Sequence, residues 1–322
     1  MKRIAVLTSG GDAPGMNAAV RAITRYAISK GMEVFGVESG YQGLMEGDIK
    51  QFTSWSVSDI LQRGGTVLKT SRSPEFRTVE GRKRGYETLK KHGIEGLVVI
   101  GGDGSFQGAK LLTTEFGIAT MGIPGTIDND LAYTDFTLGF DTAVNTVLDA
   151  INKLKDTMTS SDRVCILEVM GNKCGDIALY SGITGGAEMI LVPEIPFTLE
   201  KVADTLMANY NRGKKSSIVV VAEGACKAET IEKYLKEEAR THNIQVRSVV
   251  LGHVQRGGSP TMRDRLLGTR FATYAVDLLS EGVTNKVIGI RDNKIIDMDL
   301  LEAVAMERKF DSQLYEIATL LA

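Results

Sequence analysis

The chain is poor in the residues that build dedicated metal and covalent centres. Among 322 residues there are three histidines and three cysteines. Cys165, Cys174 and Cys226 are odd in number and lack metal-ligand spacing, which argues against a disulfide framework and for reduced thiols. No histidines stand in a ligand-like pair, so a structural zinc site is not expected. Six prolines stand against 35 glycines, a balance that suits an α/β chain with many tight turns and not a disordered one. Long apolar runs are missing too. The stretch after Lys2 and Arg3 stops at Thr8-Ser-Gly-Gly11, which reads as a first strand and not as a signal peptide or membrane span. Neither sign of charge dominates: the net charge is −2 with 24% charged residues. That gives no overall pull toward nucleic acid or membrane, and a cytoplasmic location is expected. The length exceeds what one core usually holds, so two lobes are expected.

What is present is an alternation of apolar β-like runs and amphipathic helical patterns. Strands are expected over Ile4–Leu7, Glu33–Val37, Gly96–Ile100, Ala119–Ile123, Val164–Val169, Ile218–Ala222, Ser248–Leu251 and Lys286–Ile290. Helices are expected over Met16–Ser29, Thr78–His92, Ser105–Phe116, Thr142–Thr157, Leu199–Asn211, Glu229–Thr241 and Arg263–Ser280. Strict alternation of this kind predicts parallel βαβ units with helices on both faces, an α/β fold. Thr137–Asp141 and Gly257–Pro260 are candidate crossovers between lobes.

Two glycine turns bearing aspartates are the most informative segments. Leu97-Val-Val-Ile-Gly-Gly-Asp-Gly-Ser105 and Gly122-Ile-Pro-Gly-Thr-Ile-Asp-Asn-Asp130 each open as a buried parallel strand and break into a polar turn. Strand carboxyl ends meet in one crevice of an open α/β sheet, where ligands bind. The first turn offers backbone N–H groups at a helix start and Asp103, a hard oxygen ligand for Mg²⁺ carrying nucleotide phosphates. Ser105 is placed to cap the helix. The second offers Asp128 and Asp130 beside Thr126. On an extended segment the two carboxylates would share a face, one taking a hydroxyl proton while the other supports metal or raises its neighbour's pKa. The alternative for both turns is a simple Asx or capping turn. Together they look like parts of a phosphoryl-transfer site. Thr8-Ser-Gly-Gly-Asp-Ala-Pro-Gly-Met-Asn17 has Walker-like glycine spacing, but Met16-Asn17 stands where Lys-Ser/Thr is needed, so phosphate binding and a structural turn are equally good readings.

Arginines supply the complementary charge. Arg72, Arg77, Arg82 and Arg84 cluster near a helix start, against the dipole preference, as though some await an anion; solvated surface is the alternative. Arg21 and Arg25 lie one turn apart, either solvated or marking a second anion site. His253 and Arg256 follow a strand, and with Arg163 and Arg247 near other strand ends they suit a phosphate monoester.

These segments together resemble the bacterial ATP-dependent 6-phosphofructokinases. The resemblance runs from Met1 to roughly Leu320 and rests on Thr8–Asn17, Gly101–Gly108, Pro124–Asp130, Val169–Gly171, Ala222–Gly224 and Leu251–Pro260. It implies two lobes, each a mostly parallel sheet flanked by helices: a larger ATP-binding lobe of residues 1–139 and 257–307, and a smaller sugar-binding lobe of residues 140–256 and 308–322. The implied activity is phosphorylation of fructose 6-phosphate at C1 by ATP, the committed step of glycolysis, with Mg²⁺. Gly11, Arg72, Ser73, Phe76, Gly102, Asp103, Gly104, Ser105 and Gly108 would form the ATP site, Asp103 on the metal. Asp128 would be the base, Asp130 would support the metal or the base, and Thr126 and Arg72 would stabilise the transferring group. Ile127, Met170, Gly171, Asn172, Glu223, Val254 and Gln255 would line the sugar site. His253 and Arg256 would hold its 6-phosphate, joined by Arg163 and Arg247 from a neighbouring copy of a homotetramer. An effector site for ADP and phosphoenolpyruvate would draw on Arg21, Arg25, Asp59, Lys155, Gly186, Glu188, Arg212, Lys214 and Lys215. Pyrophosphate-using relatives tend to carry aspartate at Gly104 and lysine at Gly125, where a side chain would crowd a nucleotide, so ATP is the expected donor. The chain departs from the pattern at Asn172, where arginine is usual, and at Lys155 and Ser216 in the effector set.

Overall fold

Runs of Ile, Val and Leu form the centres of two sheets. A computed structural model describes residues 1–238, 241 and 244–322. The chain divides into one unit of Met1–Thr142 with Arg256–Arg308 and another of Ala143–Gln255 with Lys309–Ala322. The strands, in chain order, are β1 (Arg3–Thr8), β2 (Glu33–Val37), β3 (Ile49–Phe52), β4 (Gly96–Gly101), β5 (Ala119–Pro124), β6 (Arg163–Val169), β7 (Met189–Leu191), β8 (Ser217–Ala222), β9 (Gln245–Val250), β10 (Lys286–Arg291) and β11 (Lys294–Asp299). The first unit holds a seven-stranded sheet in the order β11-β10-β5-β4-β1-β2-β3. Its centre is parallel. In the second unit β7-β8-β6-β9 form a parallel four-stranded sheet.

Strict parallel alternation fails at the sheet edges of the first unit. β3 pairs antiparallel with β2, and β11 with β10. Both are short, half-exposed segments, Ile-Lys-Gln-Phe and Lys-Ile-Ile-Asp-Met-Asp, whose polar content hides them from an apolar-run reading. β7 escapes for another reason, having only three residues. β9 starts earlier than the expected Ser248, because an edge strand alternates buried and exposed residues and so carries Arg247 in its middle.

The helices are α1 (Met16–Ser29), α2 (Gly40–Glu46), α3 (Val79–Lys91), α4 (Asp103–Phe116), α5 (Phe140–Thr159), α6 (Asp176–Gly185), α7 (Leu199–Asn211), α8 (Ala228–Glu237), α9 (Met262–Ser280), α10 (Leu300–Ala303) and α11 (Ser312–Leu321). The expected helix over Glu229–Thr241 ends earlier, at Glu237; positions 239 and 240 lie outside the described residues. α2, α6, α10 and α11 were not expected. The first two carry two glycines each, which lower helix propensity and are tolerated because packing outweighs it. α1 packs on α9. Gly268 permits the close approach, since a Cβ there would lie 3.0 Å from the Gly15 carbonyl oxygen.

One of the clustered arginines belongs to this framework. Arg82 on α3 is buried, and its guanidinium forks onto the Glu115 carboxylate of α4 with two contacts of 2.6 Å. Its remaining nitrogen donates to the Arg77 carbonyl at 2.7 Å. Arg84 pairs with Glu75. Neither awaits an anion. Removing one partner of a buried pair strands the other. Arg82→Ala should therefore lower the unfolding free energy by roughly 3 kcal/mol in urea denaturation, and Arg82→Met with Glu115→Leu should restore most of it. A single-variant loss below about 1 kcal/mol would mean that the pair acts as an exposed one.

Candidate active site

The chain leaves β1 to one side of the sheet, through β2 and β3, and returns to the other side at β4. β1 and β4 therefore flank a topological switch point, where ligands bind at strand carboxyl ends. Register aligns those ends. Thr8 pairs with Ile100, and Gly101 with Pro124. Ser9 donates to the Ile100 carbonyl at 3.0 Å and Gly125 to the Gly101 carbonyl at 2.9 Å. Three loops, 8–17, 101–105 and 124–139, thus begin side by side.

In the first loop, Gly10 and Gly15 have positive φ of 86° and 101°, conformations that favour glycine. Asn17 does not stand in for a Walker serine. It is buried, donates to the Arg63 and Gly64 carbonyls and accepts from Val67 N–H at 2.7 Å. Together with Thr8, which bonds Thr66 and the Lys69 carbonyl, it pins the segment leading to the exposed Arg72. Arg256, expected at the sugar phosphate, lies in this unit against the same loop. It donates to the Asp12 carbonyl at 3.3 Å, and a Cβ on Gly11 would fall 2.1 Å from its Nη1.

The second loop turns directly into α4. Asp103 is the first helical residue and is exposed, with Gly102 as an N-cap that contributes no side-chain bond. Ser105 is therefore not the cap. It is buried in the first turn, its hydroxyl facing Gly10 and Gly101. Ser105 N–H is taken by the Gly102 carbonyl, so the N–H groups before it and the positive helix end are what point to an anion. Behind them Tyr41 donates to the Ser105 carbonyl at 2.6 Å and stacks on Phe76 at 4.1 Å. Phe76, expected at the nucleotide, is buried there, and Gly108 makes room for the Tyr41 ring. Ser73 bonds Gln42 and accepts from Phe76 N–H.

The third loop is a turn, not the extended segment that would put Asp128 and Asp130 on one face. Asn129 between them is left-handed, with φ of 54°. Thr126 Oγ1 accepts from Asp128 N–H at 3.2 Å, the serine/threonine-turn geometry. Ile127 and Asn129 are buried, while Asp128 and Asp130 are half-buried. Asn129 Oδ1 accepts from Thr137 N–H at 3.0 Å, and Thr137 Oγ1 donates to the Thr126 carbonyl at 2.6 Å. These bonds close the loop at its base. Tyr133 is buried behind Asp130; burial, with the Asp130 charge adding to it, holds its hydroxyl well above the usual tyrosine range.

In the second unit the expected sugar-site residues follow β6 and β8. Asn172 has φ of 53°, which asparagine tolerates better than arginine, and its N–H donates to Glu223 Oε1 at 3.1 Å. Gly224 is held to glycine, since a Cβ would sit 2.0 Å from the Asn172 carbonyl oxygen. Gln255 is fully buried. It accepts from Met170 N–H and donates to the Gly252 carbonyl, so it shapes the Met170–Gly171 turn from behind. His253 and Val254 are exposed. Arg163 of β6 pairs in register with Gln245 of β9, and Cys165 with Arg247, which puts both arginines on one face of the sheet, Arg247 on the edge strand and Arg163 on the strand next to it.

Residues 3–279 match the family described as Phosphofructokinase. The chain belongs to the phosphofructokinase family. It is 57% identical over 322 residues to the ATP-dependent 6-phosphofructokinase of Clostridium tetani and 56% identical to that of Clostridium botulinum, covering all of both chains in each case. Among solved structures, phosphofructokinase from Saccharomyces cerevisiae superimposes with a TM-score of 0.88 at 34% identity, over all of this chain and 47% of the yeast chain. A pyrophosphate-dependent phosphofructokinase from Marinobacter aquaeolei, at 22% identity and a TM-score of 0.87 over 97% of this chain and 86% of its own, shares the fold.

Two glycines of this phosphofructokinase-family chain behave differently. A Cβ on Gly104 meets nothing within 4 Å, so a side chain there would project into the space before α4. Gly125 is already crowded: a Cβ would lie 3.0 Å from both Ile100 and Met16 side chains. Only Gly104 leaves room for a ligand. A side chain at Gly125 would need the Ile100 and Met16 side chains to give by a few tenths of an ångström.

The expected effector residues divide between the units. Arg25 on α1 donates to the Ser54 carbonyl and Ser58 hydroxyl, in the loop that holds Asp59, with Arg21 one turn away. That loop carries Trp55, 85% exposed, an aromatic face that charge-based reading of the sequence passes over. In the second unit Lys155 donates to the Gly186 carbonyl, and Lys214 pairs with Glu188 at 2.7 Å. Lys215 is near Asp162. A cavity of ≈ 330 Å³ lies beside Glu188 and Arg212, lined also by Ile190, Phe197 and Lys201.

Asp264 is the other residue with no signal in the sequence. Only 1% exposed, it accepts from Gly139 N–H (2.9 Å), Thr142 N–H (2.9 Å) and Thr142 Oγ1 (2.5 Å). Burial, with the Asp141 charge adding to it, pushes its carboxyl up to about 6 from 3.8. The folded state thus holds this proton more tightly than the unfolded chain. The associated stability is fully present below about pH 4 and is lost as pH rises to about 6, a change of roughly 3 kcal/mol. Unfolding free energies of wild type minus Asp264→Asn should therefore fall between about pH 4 and about pH 7. A flat difference would mean an ordinary carboxyl at 264.

Proposed function

We infer that this chain transfers the γ-phosphoryl group of ATP to the C1 hydroxyl of D-fructose 6-phosphate, giving fructose 1,6-bisphosphate, the committed step of glycolysis. The observation that carries this is full-length identity of 57% to an ATP-dependent 6-phosphofructokinase in a chain that aligns three site loops at one switch point. The first unit is assigned to ATP and the second, with its Met170–Glu223 and His253 segments, to the sugar phosphate.

Each loop has a part in the reaction. The phosphates of ATP lie at the uncapped start of α4, where N–H groups of the Gly102–Gly104 turn receive them and Gly104 leaves room. Among the described residues no three His, Cys, Asp or Glu side chains form a metal cluster. The single exposed carboxylate of Asp103 suits Mg²⁺ that arrives on the nucleotide and keeps waters of its own. When bound, that ion neutralises phosphate charge. Asp128 accepts the C1 hydroxyl proton as that oxygen attacks the γ-phosphorus and the bond to the bridging oxygen of ADP breaks. A loose phosphoryl-transfer transition state needs alignment and charge stabilisation more than a strong base. Thr126 holds Asp128 by its backbone, and exposed Arg72 is available to the transferring group. His253 and Arg256 take the 6-phosphate, whose remote binding energy orients C1.

The assembly assigned to this chain is a cytoplasmic homotetramer. Arg163 and Arg247, on one face of adjacent strands β6 and β9, are assigned to the 6-phosphate of an adjacent copy. Among the described residues no helix is long and apolar enough to cross a membrane. Arg21, Arg25, Asp59 and Trp55 are assigned to an effector site for ADP or phosphoenolpyruvate.

The direct assay supplies fructose 6-phosphate and Mg²⁺ with ATP or with pyrophosphate. Bisphosphate is expected from ATP alone, and Asp128→Ser should lower kcat by at least ~10²-fold, the scale of general base catalysis. Turnover within a few-fold of wild type would sink the base assignment, and product from pyrophosphate the donor. For the effector site, the single tryptophan is a built-in probe. Phosphoenolpyruvate should change Trp55 fluorescence, and Arg25→Ala should abolish that response without altering the KM for ATP. An unchanged signal in wild type at saturation would remove the assignment.

A further inference from the structure

Two helices begin at one buried point. α9 opens with Thr261 as N-cap, and its third residue, Asp264, reaches away from its own helix to the start of α5. α5 reciprocates. Thr142 Oγ1 accepts from Thr261 N–H at 3.1 Å, and Asp141 accepts from Thr261 Oγ1 at 2.6 Å. Two positive helix ends facing one another repel, and a carboxylate between them offsets both. Hence an acid is found where a neutral cap would have served a single helix.

The same residue touches the ends of two site loops, one through its carboxylate and the other through its backbone carbonyl and Cβ. Gly139, which it holds, is the last residue of the loop that carries Asp128. Thr137 and Leu138 just before it are bonded to Thr126, Asn129 and Pro124. From the other side the 8–17 loop packs against it. A Cβ on Gly15 would lie 3.2 Å from the Asp264 carbonyl oxygen, and a Cβ on Gly139 would lie 2.7 Å from the Ala13 Cβ. Displacement of the Asp264 carboxylate shifts the 124–139 loop relative to the 8–17 loop, which rests on the backbone of the same residue.

We propose that Asp264 is a positioning residue for phosphoryl transfer, setting the register between the glycine loop that cradles phosphate and the loop that presents Asp128. This rests on the kinase reading above. It makes a claim that a merely stabilising cap would not: the reacting groups are misaligned without it while each ligand still binds. Misplacement of order 1 Å can cost up to ~10²-fold in rate.

Asp264→Asn keeps the shape but turns one acceptor into a donor facing Gly139 or Thr142 N–H. The test measures kcat and both KM values of this variant at a temperature where circular dichroism shows it folded. The expected result is a fall in kcat of about tenfold or more with each KM within about threefold of wild type, the signature of an interaction felt in the transition state. Thr142→Val removes one of the three donors at less risk to folding and should lower kcat about threefold with KM unchanged, while Thr142→Ser recovers most of that loss. If Asp264→Asn does not fold, the Thr142 pair decides. Wild-type kcat in folded Asp264→Asn, a rise in KM alone, or equal rates in Thr142→Val and wild type would each overturn the proposal. A wild-type chain without turnover would instead overturn the kinase reading.

Discussion

Everything proposed for this chain depends on three adjacent parallel strands ending together. Backbone pairing of β1 with β4 and of β4 with β5 sets Thr8 opposite Ile100 and Gly101 opposite Pro124. A slip of one residue in either ladder would turn every buried side chain of these strands to the wrong face. Burial therefore guards the register. The register in turn puts a glycine loop, a helix start and an aspartate turn in one row, and no side-chain contact could substitute for that alignment.

On that row, chemistry is divided between backbone and side chain. The α4 start offers N–H groups without a capping side chain, and Gly104 leaves the space before it open. The side chains that matter most for shape are turned inward. Asn17 holds residues 63–67, Tyr41 braces Ser105, Asn129 and Thr137 close the 124–139 loop, and Asp264 anchors its exit. Buried polar groups of this kind must be satisfied, so each one locks a loop into one arrangement. In contrast, Asp103 and Arg72 are exposed.

Much of this is legible in the amino-acid order alone. The apolar runs at Ile4–Leu7, Gly96–Ile100 and Ala119–Ile123 have the length and composition of buried parallel strands, and the turns after them carry the aspartates and glycines expected of a phosphate site. The differences have local causes. β3, β7 and β11 are too short or too polar to give an apolar signal. Asp128 and Asp130 flank a residue with positive φ, so alternation along a strand does not apply to them. Ser105 falls inside the first turn and not at the cap, because the helix starts on Asp103 with a glycine cap.

By itself the sequence determined the α/β class, the order of eight of the strands and seven of the helices, the candidate base and metal ligand, and the family resemblance. These are local properties, written in periodicity, turn residues and short motifs that neighbours along the chain define. Only the tertiary structure decided that Arg82 is a buried partner of Glu115 and not a waiting anion site, that Gly125 is closed by Ile100 and Met16 while Gly104 is open, and that Asp264 joins two helix starts. Each of these depends on residues far apart in the chain, Asp264 and Gly139 being separated by 125 positions. An aspartate in the first turn of a helix looks the same in sequence whether it faces solvent or a second helix. Which of the two it faces is fixed by packing, and packing is a property of the folded whole.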